Sequence, residues 1–191
     1  MSSPRHHEAD VVLRDGSSVD VRPVTAEDAP AVRAFFERLS AKSITLRFFC
    51  GFPDLERAVS WATEIDDQHR YGLVATGADG RVVAHAGWER EPDHLERAEI
   101  AFAIADTMQH NGLGTILLSQ LTQAADQASI AVLSAEVLPQ NHRMLHVFRD
   151  SGSPLTTRTL PGVILVEIST SRSRAALEGF ESRYRLPSHS E

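Results

Sequence analysis

Apolar positions change their spacing several times along the chain, and each change marks the end of one element and the start of another. Val11-Val12-Leu13 and the alternating Val19-Asp20-Val21-Arg22 flank Asp15-Gly16, which predicts a β-hairpin because Asp-Gly is favoured in two-residue turns. Pro23 ends it. Thr25, with Asp28 three positions later, opens a helix to about Leu39 that places Ala31, Phe35 and Leu39 on one face. A second helix, about 54–64, turns Leu55, Val59 and Ala62 inward. Strands at 72–76 and 82–88 flank Asp79-Gly80, and a third runs over 98–105. Leu113, Leu117, Leu121, Ala124 and Ala128 then recur at the helical period. A strand at 131–138, a helix at 141–150 and a hairpin of 154–159 with 163–169 complete the pattern.

The order β-β-α-α-β-β-β-α-β-α-β-β predicts an α/β (α+β) fold, a mixed and mostly antiparallel sheet flanked by helices. The 191 residues suit one domain with a substantial core and leave no length for a second. The domain is expected over 10–170, after a disordered N-terminal tail at 1–9. Ala176, Phe180 and Tyr184 suggest an amphipathic C-terminal helix within 171–191.

The strand at 98–105 joins the helix from Leu113 through Gln109-His110-Asn111-Gly112-Leu113-Gly114-Thr115. Glycines here let the main chain approach a ligand, and the first helical turn leaves N–H groups unpaired at the positive end of the dipole. That describes a diphosphate cradle. The dinucleotide fingerprint would need a third glycine where Leu117 stands, and no Lys-Ser or Lys-Thr follows Gly114 as a P-loop requires.

Gln109-x-x-Gly112-x-Gly114 in mid-chain resembles the acetyl-CoA signature of the GCN5-related N-acetyltransferases (GNAT). Glu136-Val137-Leu138-Pro139-Gln140-Asn141, followed by Met144, Phe148 and Gly152, is similar to that family's next motif, in the right order. Asp15-Gly16, Val21-Arg22-Pro23-Val24 and Ser43-Ile44-Thr45-Leu46-Arg47-Phe48-Phe49 look like the catalytic domain of bacterial protein lysine acetyltransferases. The similarity spans about 10–170.

The resemblance implies acetyl-CoA as cosubstrate. Its pantetheine amides would pair with the strand edge at Ala101, Phe102 and Ala103. Gln109, His110, Asn111, Gly112, Leu113, Gly114 and Thr115 would hold its diphosphate, and Asn141 would reach the pantetheine arm or the acetyl end. The implied partner is a protein with an exposed lysine, acyl-CoA synthetases being one such class. Glu99 falls where that pattern carries its catalytic glutamate. A base is needed there: a lysine of pKa ~10.4 at pH 7 must lose its proton, a penalty of about 4.6 kcal/mol. A free glutamate is a weak base, so partial burial or a relaying water is expected.

Glu136 on the next strand is the competing carboxylate. His85, set among Val83, Ala84 and Ala86, reads as a packing histidine. His142 and His146 share a helix face without a third ligand, so no metal is expected. Arg47-Phe48-Phe49, between the first two helices, reads equally as a substrate wall or a core anchor. Two departures stand out. His110-Asn111 replaces the usual Gly-Arg or Gly-Lys pair and removes a cation from the cradle. Phe148 stands where many members place a tyrosine acid, although an alkyl thiol of pKa ~8.5 can leave unassisted. These departures favour a non-catalytic acyl-CoA sensor as one alternative; transfer to a small amine is another.

A net charge of −7 argues against nucleic acid as partner, and Lys42 is the single lysine among 19 basic residues. Cys50 is the only cysteine, and the polar first ten residues lack the apolar core of a signal peptide. A cytoplasmic protein without a membrane span is expected, with its oligomeric state left open.

Overall fold

The computed structural model describes residues 9–170. The C-terminal helix expected within 171–191 and all but the last residue of the 1–9 tail lie outside that range. Eight strands, β1 (Ala9–Val12), β2 (Ser18–Pro23), β3 (Arg70–Thr76), β4 (Val82–Glu91), β5 (His94–Ile104), β6 (Val132–Val137), β7 (Leu155–Leu160) and β8 (Val163–Ser169), form one sheet in the order β1-β2-β3-β4-β5-β6-β8-β7. Five helices flank it: α1 (Ala29–Glu37), α2 (Ala41–Phe48), α3 (Leu55–Thr63), α4 (Leu113–Gln127) and α5 (His142–Arg149). The predicted mixed, mostly antiparallel sheet is present, with β5–β6 as its parallel pair.

The first predicted helix divides at its start. A 3₁₀ turn, Ala26–Asp28, precedes α1, and the Asp28 carboxylate accepts from the Thr25 N–H at 2.8 Å while bridging both terminal nitrogens of Arg22 at 2.8 and 2.7 Å. The arginine beside it holds the Asp28 carboxyl below the usual range. The segment expected as a connection between two helices is itself the helix α2. Ser40 caps it, accepting from the Ser43 N–H at 3.2 Å, and Phe49 ends it with a left-handed φ of 59°. None of its residues is fully buried, so it lacks the strong inward stripe that reveals a helix in sequence. The strand expected from 98 begins at His94, because β4 and β5 turn back on each other at 92–93.

Two cores lie on the two faces of the sheet. Leu117, Leu121 and Phe148 from α4 and α5 pack on Leu73, Ala86, Trp88 and Ile100. Val32, Phe35, Phe36 and Val59 from α1 and α3 pack on Val74 and Ala103. Each fully buried large side chain contributes about 1.5–3 kcal/mol.

The feature that positions the site is the shortness of the β5–β6 ladder, which pairs only Arg97 with Val132, Ala98 with Leu133 and Glu99 with Ser134. Beyond those pairs β5 continues on β4 as far as Ile104, and β6 continues on β8 as far as Val137. The sheet therefore splits, and the far edge of 100–104 carries no strand. Arg97 fastens the closed end, donating to Glu167 on β8 at 2.6 Å and to Glu91 on β4 at 3.2 Å.

Above the split, on the α1–α3 face, Gly72, Gly87 and Ala101 lie in register across β3, β4 and β5. They form a low floor beneath Trp61. A Cβ on Gly87 would stand 2.9 Å from the Tyr71 carbonyl oxygen and 3.4 Å from the Trp61 ring. Gly87→Ala is expected to destabilise the fold by about 1–3 kcal/mol through overpacking. Urea denaturation reads this as a lower midpoint at unchanged slope, and an unchanged midpoint would contradict the floor.

Candidate active site

The glycine-bearing loop leaves β5 through a 3₁₀ turn, Asp106–Met108, and enters α4 at Gly112. His110 at φ 74° and Gly112 at φ 88° both take left-handed backbone, so the chain reverses twice in three residues. No side chain caps α4. The Thr115 N–H bonds the Gly112 carbonyl at 3.1 Å, which leaves the N–H groups of Leu113 and Gly114 without an intrahelical acceptor. These are the donors available to an anion.

Side chains lock the loop to its neighbours. Gln109 donates to the Ile104 carbonyl at 3.0 Å and to Ser43 at 3.2 Å, and its oxygen accepts from Arg143. Asp106 accepts from the Ser40 N–H, the Ser40 hydroxyl and the Ser43 hydroxyl at 3.1, 2.7 and 2.8 Å. The start of α2 is thus tied to the loop. Asn141 uses its oxygen to cap α5, accepting from the Met144 N–H at 3.2 Å, which leaves its amide NH₂ to donate elsewhere.

A cavity of about 360 Å³ opens over this loop and extends to the split edge of β5. Phe102 and Ala103 line one end; Gln109, His110 and 112–115 line the other, with Asn141 between the helices. Glu99, Ala101 and Asn111 are not in the lining. Asn111 faces the β1–β2 turn, donating to Asp15 at 2.6 Å while its carbonyl accepts from the Arg14 N–H at 3.1 Å. Gly114 serves packing: a Cβ there would meet Val147 at 3.2 Å and Ile104 at 3.4 Å.

Two cations stand at the cradle that the sequence reading missed. Arg14 reaches over from the β1–β2 turn, its Nε 3.5 Å from where a Gly112 Cβ would stand, and Arg143 of α5 lines the same cavity. The cation absent from positions 110 and 111 is therefore matched from other elements. No local signal could have revealed Arg14, which lies almost a hundred residues from the loop.

Glu99 sits at the last position where β5 pairs with β6, where the sheet begins to split, with Glu89 directly opposite on β4. Its side chain is open to solvent on one side. Partial burial raises its pKa first; the carboxylates of Glu136, Glu89 and Glu91 raise it further, and the Arg47 guanidinium opposes them. His85 is fully buried, with Nε2 3.1 Å from the Ala62 carbonyl, and burial pushes it down to about 3. It is a neutral packing residue. His146 pairs with Asp150 at 3.0 Å. Phe148 is buried edge-on to Phe102, with centroids 6.2 Å apart, and offers no proton. Phe48 packs edge-on against Phe36 at 5.5 Å, whereas Arg47 beside it lines the cavity, so the Arg47-Phe48 pair serves both core and wall.

The pattern of the acetyltransferase (GNAT) family matches residues 27–152, and the chain belongs to that family. The GNAT domain of S. lividans PAT is 35% identical, covers 88% of this chain and 99% of its own length, and superimposes with a TM-score of 0.79. Acetyltransferase Pat of Mycolicibacterium smegmatis is 27% identical over 159 residues, which is 83% of this chain but 47% of Pat. The chain thus spans about half the length of that curated relative. A Salmonella typhimurium protein solved with its cofactor acetyl-CoA shares the fold at 16% identity and a TM-score of 0.67, over 81% of this chain and 95% of its own.

Arg14→Ala is expected to weaken acetyl-CoA binding about three- to ten-fold at low salt, with a smaller effect as ionic strength rises, because an exposed charge is screened. Calorimetric titration at two salt concentrations checks this. Equal affinities for both proteins at low salt would remove Arg14 from the cradle.

Proposed function

We propose that this chain transfers the acetyl group of acetyl-CoA to lysine side chains of partner proteins, by direct attack of the amine on the thioester. The observation that carries this reading is a raised-pKa glutamate, Glu99, at the point where the sheet splits, beside a cavity that runs to an anion-binding loop. Similarity to the GNAT domain of S. lividans PAT and to Pat supports a protein acceptor, acyl-CoA synthetases among the candidates. Among the described residues no helix is long and apolar enough to cross a membrane. A cytoplasmic setting suits a chain whose one cysteine, Cys50, is exposed.

In this reading the diphosphate rests on the Leu113 and Gly114 N–H groups, flanked by Arg14 and Arg143. The pantetheine amides complete the unpaired edge of β5 at Ala101–Ala103, as an added strand would. Asn141 donates its free NH₂ to the same arm. The acceptor approaches from the α1–α3 face, where Glu99 and Glu136 attract a lysine cation, Glu89 and Glu91 being paired with Arg70 and Arg97. Glu99 takes the amine proton directly or through a water. The nitrogen bonds to the acyl carbon, the C–S bond breaks, and the second N–H proton released on amide formation passes to the departing thiolate or to solvent, Phe148 having none to give.

The direct experiment incubates the protein with acetyl-CoA and a cell lysate and maps acetyl-lysines; new sites on acyl-CoA synthetases support the reading. Acetylation of free polyamines or aminoglycosides with an unmodified lysate would contradict the protein acceptor. Glu99→Gln keeps the shape but cannot accept a proton, so kcat should fall ~100- to 10,000-fold with acetyl-CoA affinity unchanged. The base works only when ionised. Wild-type activity should therefore decline as pH falls through a value above the ordinary carboxylate range, and that limb should vanish in Glu99→Gln. Wild-type turnover in a folded variant would transfer the role to Glu136.

A further inference from the structure

We propose that Arg47 is a further catalytic residue: its guanidinium N–H groups receive the thioester oxygen as that oxygen takes up negative charge during acyl transfer. The inference rests on the reading that acyl-CoA fills the cavity.

Arg47 stands at the end of α2, stacked 4.8 Å from the Phe48 ring centroid and 5.2 Å from that of Trp61. The two rings hold the guanidinium plane and strip water from it. Its Nε is enclosed and has no hydrogen-bond partner among the described residues. Burial pulls the group down to about 10, with Glu99 acting against that shift. A buried charged donor without an acceptor is costly, and folded proteins leave few of them. Arg47 makes no ion pair with Glu99, although that carboxylate is close enough to be felt.

Its place explains what could complete it. Arg47 lines the same cavity as the loop before α4 and as Phe102 and Ala103 of β5. Its charge is felt both by His85, which pairs in register with Ala103, and by Glu99. Between those two positions of β5 lies Ala101, paired with Gly87 over the low floor and on the edge that β6 has abandoned. An acyl group following the open edge from the loop towards Glu99 must pass this point.

The neutral thioester oxygen is a weak acceptor. When the amine nitrogen bonds to the acyl carbon, the C=O π pair moves onto oxygen, and only then does a full charge face the guanidinium. Collapse returns that pair as the C–S bond breaks and the thiolate departs, while Glu99 holds the amine proton. An N–H group unsatisfied in the resting state and satisfied only during reaction stabilises the transition state selectively. The same positive charge disfavours the ammonium form of the incoming amine, whose proton Glu99 accepts.

The test compares Arg47→Met, Arg47→Ala and Arg47→Lys with the unaltered protein for acetyl-CoA affinity, thermal midpoint and kcat. Arg47→Met should lose ~100- to 1,000-fold in kcat, with acetyl-CoA affinity within about two-fold of the wild type. Added guanidinium ion should restore kcat at least ten-fold in Arg47→Ala, and sodium at equal concentration should not, a response that a merely structural role would not give. Arg47→Lys fills the same space and keeps the charge without the planar fork. If the other two variants fail to fold, this one should still lose ten-fold or more. Undiminished kcat in any folded variant overturns the proposal. It is equally overturned if the wild type prefers succinyl-CoA to acetyl-CoA and Arg47→Met reverses that preference, because the guanidinium would then hold a ground-state carboxylate. Absence of any acyl transfer by the wild type would sink the proposed function itself; transfer by a wild type whose variants are equally active sinks only the role of Arg47.

Discussion

The site depends on one interruption of backbone hydrogen bonding. A parallel pair of strands that stayed together over the length of β6 would have closed the sheet and left no edge for a ligand. Instead β5 and β6 share three register pairs and then part, each held by its other neighbour. Backbone N–H and C=O groups left unpaired in a partly buried gap cost about 1–3 kcal/mol each. The split is maintained because Arg97 binds Glu91 and Glu167 at the closed end, and because Phe148 packs against Phe102 beside the open stretch. The exposed edge is thereby poised for an extended ligand bearing amides.

Electrostatics follow from where that split falls. Glu99 occupies the last position at which β5 pairs with β6, so its carboxylate stands at the mouth of the gap with three other glutamates on its side of the sheet. Their mutual repulsion and the partial loss of hydration both favour the protonated form, which makes Glu99 a stronger base than a free glutamate. The Arg47 guanidinium acts against that shift. The opposite end of the cavity carries Arg14 and Arg143 beside the free N–H groups of α4. One cavity therefore joins Arg14 and Arg143 to Phe102 and Ala103 on the unpaired edge of β5.

Most of the fold was legible in the sequence because its elements bury one clear face. The leucines of α4, the Asp-Gly turns and the apolar strands each carry a local signal, and the turn into α4 declares itself through Gly112. Helix α2 was missed because its contacts are distributed around its surface: Ser40 and Ser43 bond Asp106, Phe48 meets Phe36, and Arg47 faces the cavity. Arg14 was invisible for a different reason. Its place beside Gly112 is set by the docking of the β1–β2 turn on the carbonyl of Asn111, a tertiary contact with no counterpart in local pattern. Gly114 shows the converse, a motif glycine whose hydrogen also faces Val147 and Ile104.

The most direct measurement of the central claim is residue-resolved amide hydrogen exchange with and without acetyl-CoA. Alternate amides of residues 100–104, those on the edge that β6 has left, should slow on adding acetyl-CoA together with Leu113 and Gly114. The paired amides of β5 below Glu99 should not change. Slowing confined to Leu113 and Gly114, with the β5 edge exchanging as before, would contradict an account in which the split sheet receives the pantetheine arm.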